Sequence, residues 1–324
     1  MKHPKASPLC PYCAKRTALT FNQAVEIYKT TEKKKSLHCD LTDLRKVLPY
    51  IGTLEIDKIY QGTITPYIEA EQKRGMKATT INRSLRIVSR ILYLCVVSWR
   101  DHHHIPYLDA APLIKQLPEI DKQTTRPIEY QEEQRLLAAL LPHLRDFWLF
   151  AVNTGLREQN QIRLRWEWKV EMPYLNNYAF IIPAYVNGVK NTKNGKDFLL
   201  VLNSQAKAIL EKWQDKDPIY VFPSPAGGHY SRYNNKPFRR CREKAGLKGI
   251  IKWHSARTTF ATRLRAAGIS KEDRAQLLGH SQSLTTEYSW ASIEHLIECV
   301  ESLCDTTQLQ INHKMGLRSL FRLE

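Results

Sequence analysis

The chain has 324 residues, 43% of them hydrophobic and 10% aromatic, so it can bury real cores and is not globally disordered. At roughly 100–200 residues per domain, this length predicts two domains. Lys and Arg total 49 against 32 Asp and Glu, and the net charge of +17 favours a polyanionic partner, above all nucleic acid. The seven scattered cysteines and the lack of a long apolar run favour a reducing, intracellular compartment over secretion or membrane insertion.

The first half of the chain has helical periodicity. Residues 1–19 have no apolar period and are predicted to be a basic N-terminal arm, and Thr20 stands where a helix N-cap belongs. Further helical patterns cover residues 40–48, 65–74 and 79–99. The last of these carries three arginines on its polar face, Arg83, Arg86 and Arg90. Residues 20–110 are therefore predicted to form a small helical domain with one cationic side.

Residues 111–128 contain three prolines and a polar run, and they are the predicted linker. A single long helix is predicted over residues 130–152, ending at Thr154-Gly155. The segments 180–182 and 198–202 are rich in strand formers, and two Asn-Gly turns lie between them, which predicts a small antiparallel sheet. Helical patterns resume at 204–213, 236–245, 255–267 and 271–278, and again after residue 292. The predicted fold class is mainly α (α+β).

Four short segments in the second half carry side chains that could surround one phosphate. They are Thr154-Gly155-Leu156-Arg157, the lysine-rich turn 190–196, His254-Ser255-Ala256-Arg257, and Leu277-Leu278-Gly279-His280 with Tyr288 eight residues later. Each segment alone is more often an ordinary surface or core feature. Together they supply two Arg, a Lys, two His and a Tyr, which is the set that phosphoryl transfer without a metal requires.

The order and content of these segments resemble the tyrosine recombinases, also called the phage integrase family, over most of the chain. The matching motifs are T-G-L-R at 154–157, T-K-N-G-K at 192–196, H-S-A-R-T-T-F-A-T at 254–262, L-L-G-H-S at 277–281, T-T-E-Y at 285–288, and T-T-I-N-R at 79–83. The resemblance implies a helical core-DNA-binding domain over 20–110. It also implies a mixed α/β catalytic domain over 129–304, followed by a tail at 305–324.

The resemblance assigns four side chains to the phosphate itself. Arg157 and Arg257 would clamp it, because guanidinium groups match phosphate oxygens with two parallel hydrogen bonds. His254 would donate a hydrogen bond to a phosphate oxygen or take the proton of the nucleophile. His280 would donate to the same phosphate and support the pocket.

Two further roles belong to proton transfer and nucleophilic attack. Lys193 would protonate the departing 5′ oxygen as a general acid, with Lys190 and Lys196 as rivals on the same turn. Tyr288 would attack phosphorus and leave a covalent 3′-phosphotyrosine. Because that intermediate conserves the bond energy, the resemblance implies neither ATP, nor metal, nor any other cofactor.

The function implied is site-specific DNA recombination, most simply by an integrase that integrates or excises a phage or mobile element. DNA resolution or inversion by the same chemistry, and a catalytically inactive DNA-binding regulator, stay open as alternatives. Three positions depart from the family pattern. Asn160 stands where an acidic residue is common, with Glu158 as a candidate replacement, and Thr258 replaces a common histidine. The spacing from His280 to Tyr288 is one residue shorter than usual.

The implied partner is double-stranded DNA with specific core sites, bound by a homo-oligomer that is a tetramer at synapsis, with accessory directionality proteins as candidate helpers. Backbone contacts are predicted for five arginines, Arg83, Arg86, Arg90, Arg239 and Arg240. The implied location is the cytoplasm, at the nucleoid of a bacterial host. No membrane partner is expected.

Cys10 and Cys13 have the spacing of a zinc knuckle, and His3 or the His38-Cys39 pair could complete four ligands. A single C-x-x-C in a basic arm is more often not a metal site, and a DNA-contacting arm fits the same residues. The prediction is therefore for no bound metal, with zinc at this motif as the alternative.

Overall fold

The computed structural model describes residues 17–34, 36–120, 125–249, 251–280 and 291–304. The chain divides into two compact units, Met1–Gln123 and Thr124–Glu324. None of the helices in the described ranges has the length and apolarity that a membrane span requires.

The described residues of the first unit form four α-helices. They are α1 (Phe21–Thr31), α2 (Leu37–Ile51), α3 (Gln61–Lys73) and α4 (Ala78–Val97). Thr20 caps α1 as predicted, since its hydroxyl accepts the Gln23 N–H at 3.3 Å and the Gln23 side chain accepts the Thr20 N–H at 2.8 Å. Each helix turns an apolar face into one core. The α4 face contributes Ile81, Leu85, Val88, Ile91, Leu92 and Cys95, all buried.

Part of the predicted linker packs on the first unit. The Asn82 side chain both donates to the Leu117 carbonyl, at 2.8 Å, and accepts the Leu117 N–H, at 2.7 Å. Ile114 is buried in the core of this unit. Next to it, the Lys115 N–H donates to the Gln61 side chain at 2.8 Å. The chain up to these residues is therefore held by hydrogen bonds and burial, although it forms no helix or strand.

The second unit contains eight helices among the described residues. They are α5 (Tyr130–Ala139), α6 (Pro142–Thr154), α7 (Glu158–Ile162), α8 (Ser204–Trp213), α9 (Lys236–Lys244), α10 (His254–Ala266), α11 (Lys271–Leu277) and α12 (Ile293–Glu301). The single helix predicted over 130–152 is wrong, because α5 and α6 are separate. Leu140 and Leu141 are extended, and Pro142 opens α6. Proline has no N–H for the preceding turn and disfavours a helical residue before it.

Over residues 125–249, five strands form one sheet and one small hairpin. They are β1 (Lys169–Met172), β2 (Asn177–Ile182), β3 (Tyr185–Val186), β4 (Val189–Lys190) and β5 (Phe198–Leu200). The predicted antiparallel pairing is confirmed, with Phe180 opposite Leu200, and β1 extends the sheet in the order β1-β2-β5. The β3–β4 hairpin turns at Asn187-Gly188, where both residues have positive φ.

The core of the second unit surrounds α6. Phe147 contacts the rings of Trp213, Phe222, Tyr230 and Tyr233, with centroids no more than 5.6 Å apart. A smaller cluster joins α10, α11 and α12 through Phe260, Leu264, Leu277, Leu296 and Val300. Packing against these two clusters fixes the start of α10 near the end of α6.

Candidate active site

The site begins where α6 ends at Gly155. This glycine has a φ of +61°, and a Cβ at this position would overlap the ring of Phe260 on α10. The close approach puts the Gly155 carbonyl within reach of α10, where it accepts a 2.7 Å hydrogen bond from Nη1 of Arg257. Two residues later, half-buried Arg157 opens α7. The predicted T-G-L-R and H-x-x-R motifs therefore meet at one point.

Arg257 is held by backbone carbonyls from two directions. Only 6% exposed, it donates to Gly155 through Nη1 and to the Leu278 carbonyl through Nη2, the latter at 2.5 Å. Burial lowers the pKa of Arg257 to about 9, helped by the charge of Arg157, and burial also lowers the pKa of Arg157. Both guanidinium groups are still charged at neutral pH. Within the described part of the chain, neither is paired with a carboxylate, so both charges are available to bind an anion.

His280 reaches Arg257 because α11 ends in a Schellman motif. The N–H groups of Gly279 and His280 donate to the carbonyls of Gln276 and Ala275, both at 2.9 Å. Gly279 has a φ of +57°, and a Cβ there would lie 2.6 Å from the Phe198 ring. This left-handed turn directs the next residue back toward α10, and Nε2 of His280 lies 3.0 Å from Nη2 of Arg257.

His254 opens α10, one turn before Arg257, and both it and His280 keep contact with solvent. Partial burial lowers the pKa of both histidines. The positive charges of Arg257, Arg157 and Lys193 lower the two pKa values further. Both rings are therefore neutral at pH 7. The structure thus brings five of the six residues assigned to the chemistry into one electrostatic cluster.

Lys193 lies on a tight turn after β4. The turn is closed by a 2.7 Å hydrogen bond from the Thr192 hydroxyl to the Lys196 carbonyl, and Gly195 has a φ of +71°. Of the three lysines considered for this turn, Lys193 is the one whose charge acts on both histidines. The Lys190 ammonium instead folds back toward Gly195.

Glu158, the candidate replacement for a carboxylate at position 160, binds elsewhere. Its Oε1 accepts the N–H groups of Tyr233 and Asn234, at 2.5 and 2.8 Å, which ties the start of α7 to the loop before α9. Its charge also opposes the lowering of the His254 pKa. Asn160 is buried, and its backbone N–H donates to the Arg157 carbonyl at 2.9 Å. Glu158 therefore supports the loop and acts on the site only through its charge.

Sequence reasoning missed a buried ion pair behind the site. Arg263 of α10 pairs with Glu133 of α5, and both side chains are almost fully buried. The indole of Trp148 donates to the same carboxylate at 3.3 Å. In the sequence nothing distinguishes Glu133 from the adjacent Glu132, which pairs with Arg126 instead. Only the packing of α5 on α10 reveals it.

The proposed DNA-contacting arginines are exposed on two helices. Arg83, Arg86 and Arg90 lie on the outer face of α4, and Arg239 and Arg240 lie on α9. Arg83 is held by the buried Asp43 carboxylate at 2.7 Å. Tyr288, Cys10 and Cys13 lie outside the described residues.

Comparison with known sequences identifies the class. Residues 127–292 match the sequence model of the Phage integrase family, and this match covers half of the chain. The chain therefore belongs to the phage integrase family, the tyrosine recombinases. The predicted family is confirmed.

Two curated relatives give the range of similarity. The integrase of Salmonella phage P22 is 27% identical over 222 residues, covering 64% of this chain and 54% of that protein. The chain thus spans about half the length of this relative. Tyrosine recombinase XerC of Chlamydia pneumoniae is 24% identical over 241 residues, covering 70% of this chain and 72% of that protein.

The fold is shared with solved integrases. A lambda integrase dimer bound to a COC′ core site has a TM-score of 0.62 at 17% identity, covering 85% of this chain and 99% of that chain. The Tn1549 transposon integrase in complex with transposon right end DNA has the same TM-score and identity, covering 85% of this chain and 96% of that one. The predicted fold class, helix-rich with a small antiparallel sheet, is confirmed.

Proposed function

We propose that this chain is a site-specific DNA recombinase that cleaves and rejoins DNA through a covalent 3′-phosphotyrosine. The proposal rests on two arginines, half-buried Arg157 and buried Arg257. Neither has a carboxylate partner among the described residues. Two neutral histidines and a lysine charge adjoin them. This is a site shaped for a phosphodiester, which brings one negative charge and develops a second in the transition state.

Arg257 supplies a fixed charge at that phosphate. Three of its five N–H groups are committed, two to the carbonyls of Gly155 and Leu278 and one to Nε2 of His280, so the plane of the guanidinium is set before DNA binds. In this proposal the remaining N–H groups, with those of Arg157, donate to the equatorial oxygens. Donors held in place in advance stabilise developing charge without a reorganisation cost during the reaction.

Proton transfer falls to His254 and Lys193. A neutral imidazole accepts the proton that Tyr288 loses as its phenolic oxygen attacks phosphorus, and the lowered pKa of His254 keeps it in that form. The Lys193 ammonium donates to the 5′ oxygen as its bond to phosphorus breaks. Attack by another strand's 5′ hydroxyl on the phosphotyrosine then reverses both transfers and releases the tyrosine.

The first unit and α9 would hold the duplex. Basic side chains on α4 and α9 are exposed to solvent and suit phosphate contacts, so we assign core-site binding to residues 20–110 and chemistry to residues 129–304. Solved neighbours include a lambda integrase dimer on a core site and a lambda integrase tetramer on a Holliday junction. We propose that this chain likewise acts as a homo-oligomer, a tetramer at synapsis. Integration or excision of a mobile element is the favoured outcome, with resolution or inversion as the alternative.

The test is trapping of the covalent intermediate. Duplex sites are first selected from a random library by binding to the full chain, then nicked next to each candidate cleavage position so that the cleaved end escapes. With chelator present, wild type should form a denaturant-resistant protein–DNA adduct and Tyr288→Phe should form none. Tyr174→Phe, at a fully exposed tyrosine, is the matched control and should react like wild type.

Two outcomes would contradict the proposal. An adduct that persists in Tyr288→Phe would place the nucleophile elsewhere. Tight DNA binding without an adduct from any variant would favour the inactive regulator.

A further inference from the structure

Three metal-binding side chains converge between α11 and α12. Oδ2 of Asp273 lies 3.2 Å from Nε2 of His295, and the same nitrogen lies 3.5 Å from Sγ of Cys299. The ligand atoms of all three lie within 4.8 Å of one another. None of these residues belongs to the phosphate cluster described above.

The spacing fits a tetrahedral ion. Zinc binds oxygen, nitrogen and sulfur at about 2.0–2.3 Å, so neighbouring ligand atoms around it are about 3.3–3.8 Å apart. The 3.5 Å edge has this length, the 3.2 Å edge is about 0.1 Å shorter, and the third requires a shift of about 1 Å at most. Thiolate, imidazole and carboxylate together favour Zn²⁺ over the hard cations Mg²⁺ and Ca²⁺.

We propose that Asp273, His295 and Cys299 form a structural zinc site that joins α11 to α12, with the fourth position open to water. On binding, the Cys299 thiol gives up its proton to solvent and the imidazole binds through neutral Nε2. The charge of the site is then neutral, since Zn²⁺ balances one thiolate and one carboxylate.

The surroundings of the three ligands also favour metal binding. His295 and Cys299 are four residues apart on α12 and therefore share one helix face. Cys299 is buried, whereas His295 is exposed at the rim, which leaves an entry path for the ion. The Ser270 hydroxyl donates to Oδ2 of Asp273 at 2.6 Å and orients the carboxylate, as the outer partners of metal ligands do.

A bound ion would restrain the part of the chain that lies between its ligands. The segment from Asp273 to His295, 22 positions later, contains His280 and Tyr288, two of the residues assigned to catalysis. An ion bound at Asp273 and His295 would hold the two ends of this segment together. The inference does not depend on the proposed recombinase activity, since metal binding is measured without DNA.

The experiment is a Co²⁺ titration of the full chain, followed by displacement with Zn²⁺. Rival thiols are first removed by Cys10→Ser, Cys13→Ser and Cys39→Ser. This background should bind one equivalent of Co²⁺, with the visible absorption of a tetrahedral ion and the near-ultraviolet band of a thiolate ligand. Zinc should displace the cobalt stoichiometrically.

Variants then identify the ligands. His295→Ala and Cys299→Ser should each weaken Zn²⁺ binding at least tenfold, and Cys299→Ser should abolish the thiolate band. Cys304→Ser, in the same terminal segment, is the matched control and should keep both the affinity and the band. His295 is half exposed, so its removal should leave the fold intact, which far-ultraviolet circular dichroism checks. Absence of cobalt bands in the background chain, or bands that survive His295→Ala, would overturn the site.

Discussion

Nε2 of His280 lies 3.0 Å from Nη2 of Arg257, and a guanidinium group can only donate at such a contact. The histidine nitrogen is therefore the acceptor, so the neutral ring carries its proton on Nδ1. The pKa of His280 is lowered by burial and by the charges of Arg257 and Arg157, which agrees with a neutral ring. His280 thus orients the arginine through one nitrogen and offers the other as a donor.

The first prediction concerns Arg257→Lys. A single ammonium nitrogen cannot replace the two guanidinium nitrogens that bind the Gly155 and Leu278 carbonyls and also donate to a phosphate. We expect single-turnover adduct formation to slow by about 10²–10³-fold, the usual cost of a lost transition-state donor. Arg265→Lys, at an exposed position of α10, is the matched control and should stay within about twofold of wild type. Equal rates for the two variants would remove Arg257 from the phosphate site.

The second prediction concerns the titration of the site histidines. Because the pKa values of His254 and His280 lie below the ordinary 6.5, both should protonate only on acidification beyond that value. As the pH falls below 6.5, the unfolded chain binds protons at these two histidines before the folded chain does. The free energy of unfolding should therefore decrease with acidification. NMR titration of the histidine rings in the free protein measures the shift directly.

The cause of that shift can be tested with two substitutions. Arg157→Gln removes a charge that acts on both rings, so both pKa values should rise toward the ordinary value. Lys190→Gln removes a lysine of the adjacent turn whose ammonium lies against Gly195, and it should move them far less. If Lys190→Gln has the larger effect, the proposed convergence of charges is wrong.

The third prediction separates the three lysines of the turn. As the general acid, Lys193 should contribute about 10²–10⁴-fold to cleavage, so Lys193→Gln should be slowed by that factor. Lys190→Gln and Lys196→Gln should be close to wild type. With a sulfur atom in place of the bridging 5′ oxygen, the leaving group needs no proton. On this substrate Lys193→Gln should cleave at close to the wild-type rate. A defect that persists on the sulfur substrate would assign Lys193 to binding rather than proton transfer.

The long, regular features of the fold could be predicted because their patterns are local. The apolar spacing over 79–99 predicts α4 to within two residues, and the strand formers at 180–182 and 198–202 predict the central pairing of the sheet. The break between α5 and α6 was missed because apolar spacing runs across Pro142 without interruption.

Contacts between distant segments could not be predicted in the same way. Motif order predicts a set of site residues, but not the partners that hold them. Glu158 binds backbone N–H groups 75 and 76 residues away, and the Arg257 guanidinium binds a carbonyl 102 residues before it. Such contacts depend on how helices pack, and the local periodicity of the sequence does not predict them.

The fourth prediction concerns the arginines of α4. Among the described residues, the carboxylates paired with Arg86 and Arg90 lie 3.7 and 3.8 Å away, so each arginine should contribute to DNA binding through one phosphate. Arg86→Gln or Arg90→Gln should lower the slope of log Kd against log salt by about 1. Arg83 is committed to Asp43, so Arg83→Gln should change the slope less and reduce stability more. Fluorescence anisotropy at several salt concentrations measures the slopes. If Arg83→Gln changes the slope more than Arg86→Gln and Arg90→Gln do, this order is wrong.

The last prediction concerns the ion pair between Glu133 and Arg263, which joins α5 to α10 behind the site. Glu133→Gln keeps the shape of the side chain and an acceptor for Trp148, but it leaves the buried arginine without a counter-charge. Breaking a buried pair in this way typically costs about 3–5 kcal/mol. Urea unfolding of the full chain, followed by tryptophan fluorescence, measures the loss.

Two comparisons determine whether that loss comes from the buried charge. Glu167→Gln breaks the exposed pair with Arg165, where Glu167 is 62% exposed, and should cost no more than about 1 kcal/mol. The double substitution Glu133→Leu with Arg263→Met removes both charges and should recover most of the stability, since a well-packed apolar pair can replace a buried ion pair. If the double variant is as unstable as Glu133→Gln, hydrogen bonds or packing of these side chains, rather than the uncompensated charge, account for the effect. If Glu133→Gln unfolds at the wild-type urea concentration, the pair does not hold α5 to α10.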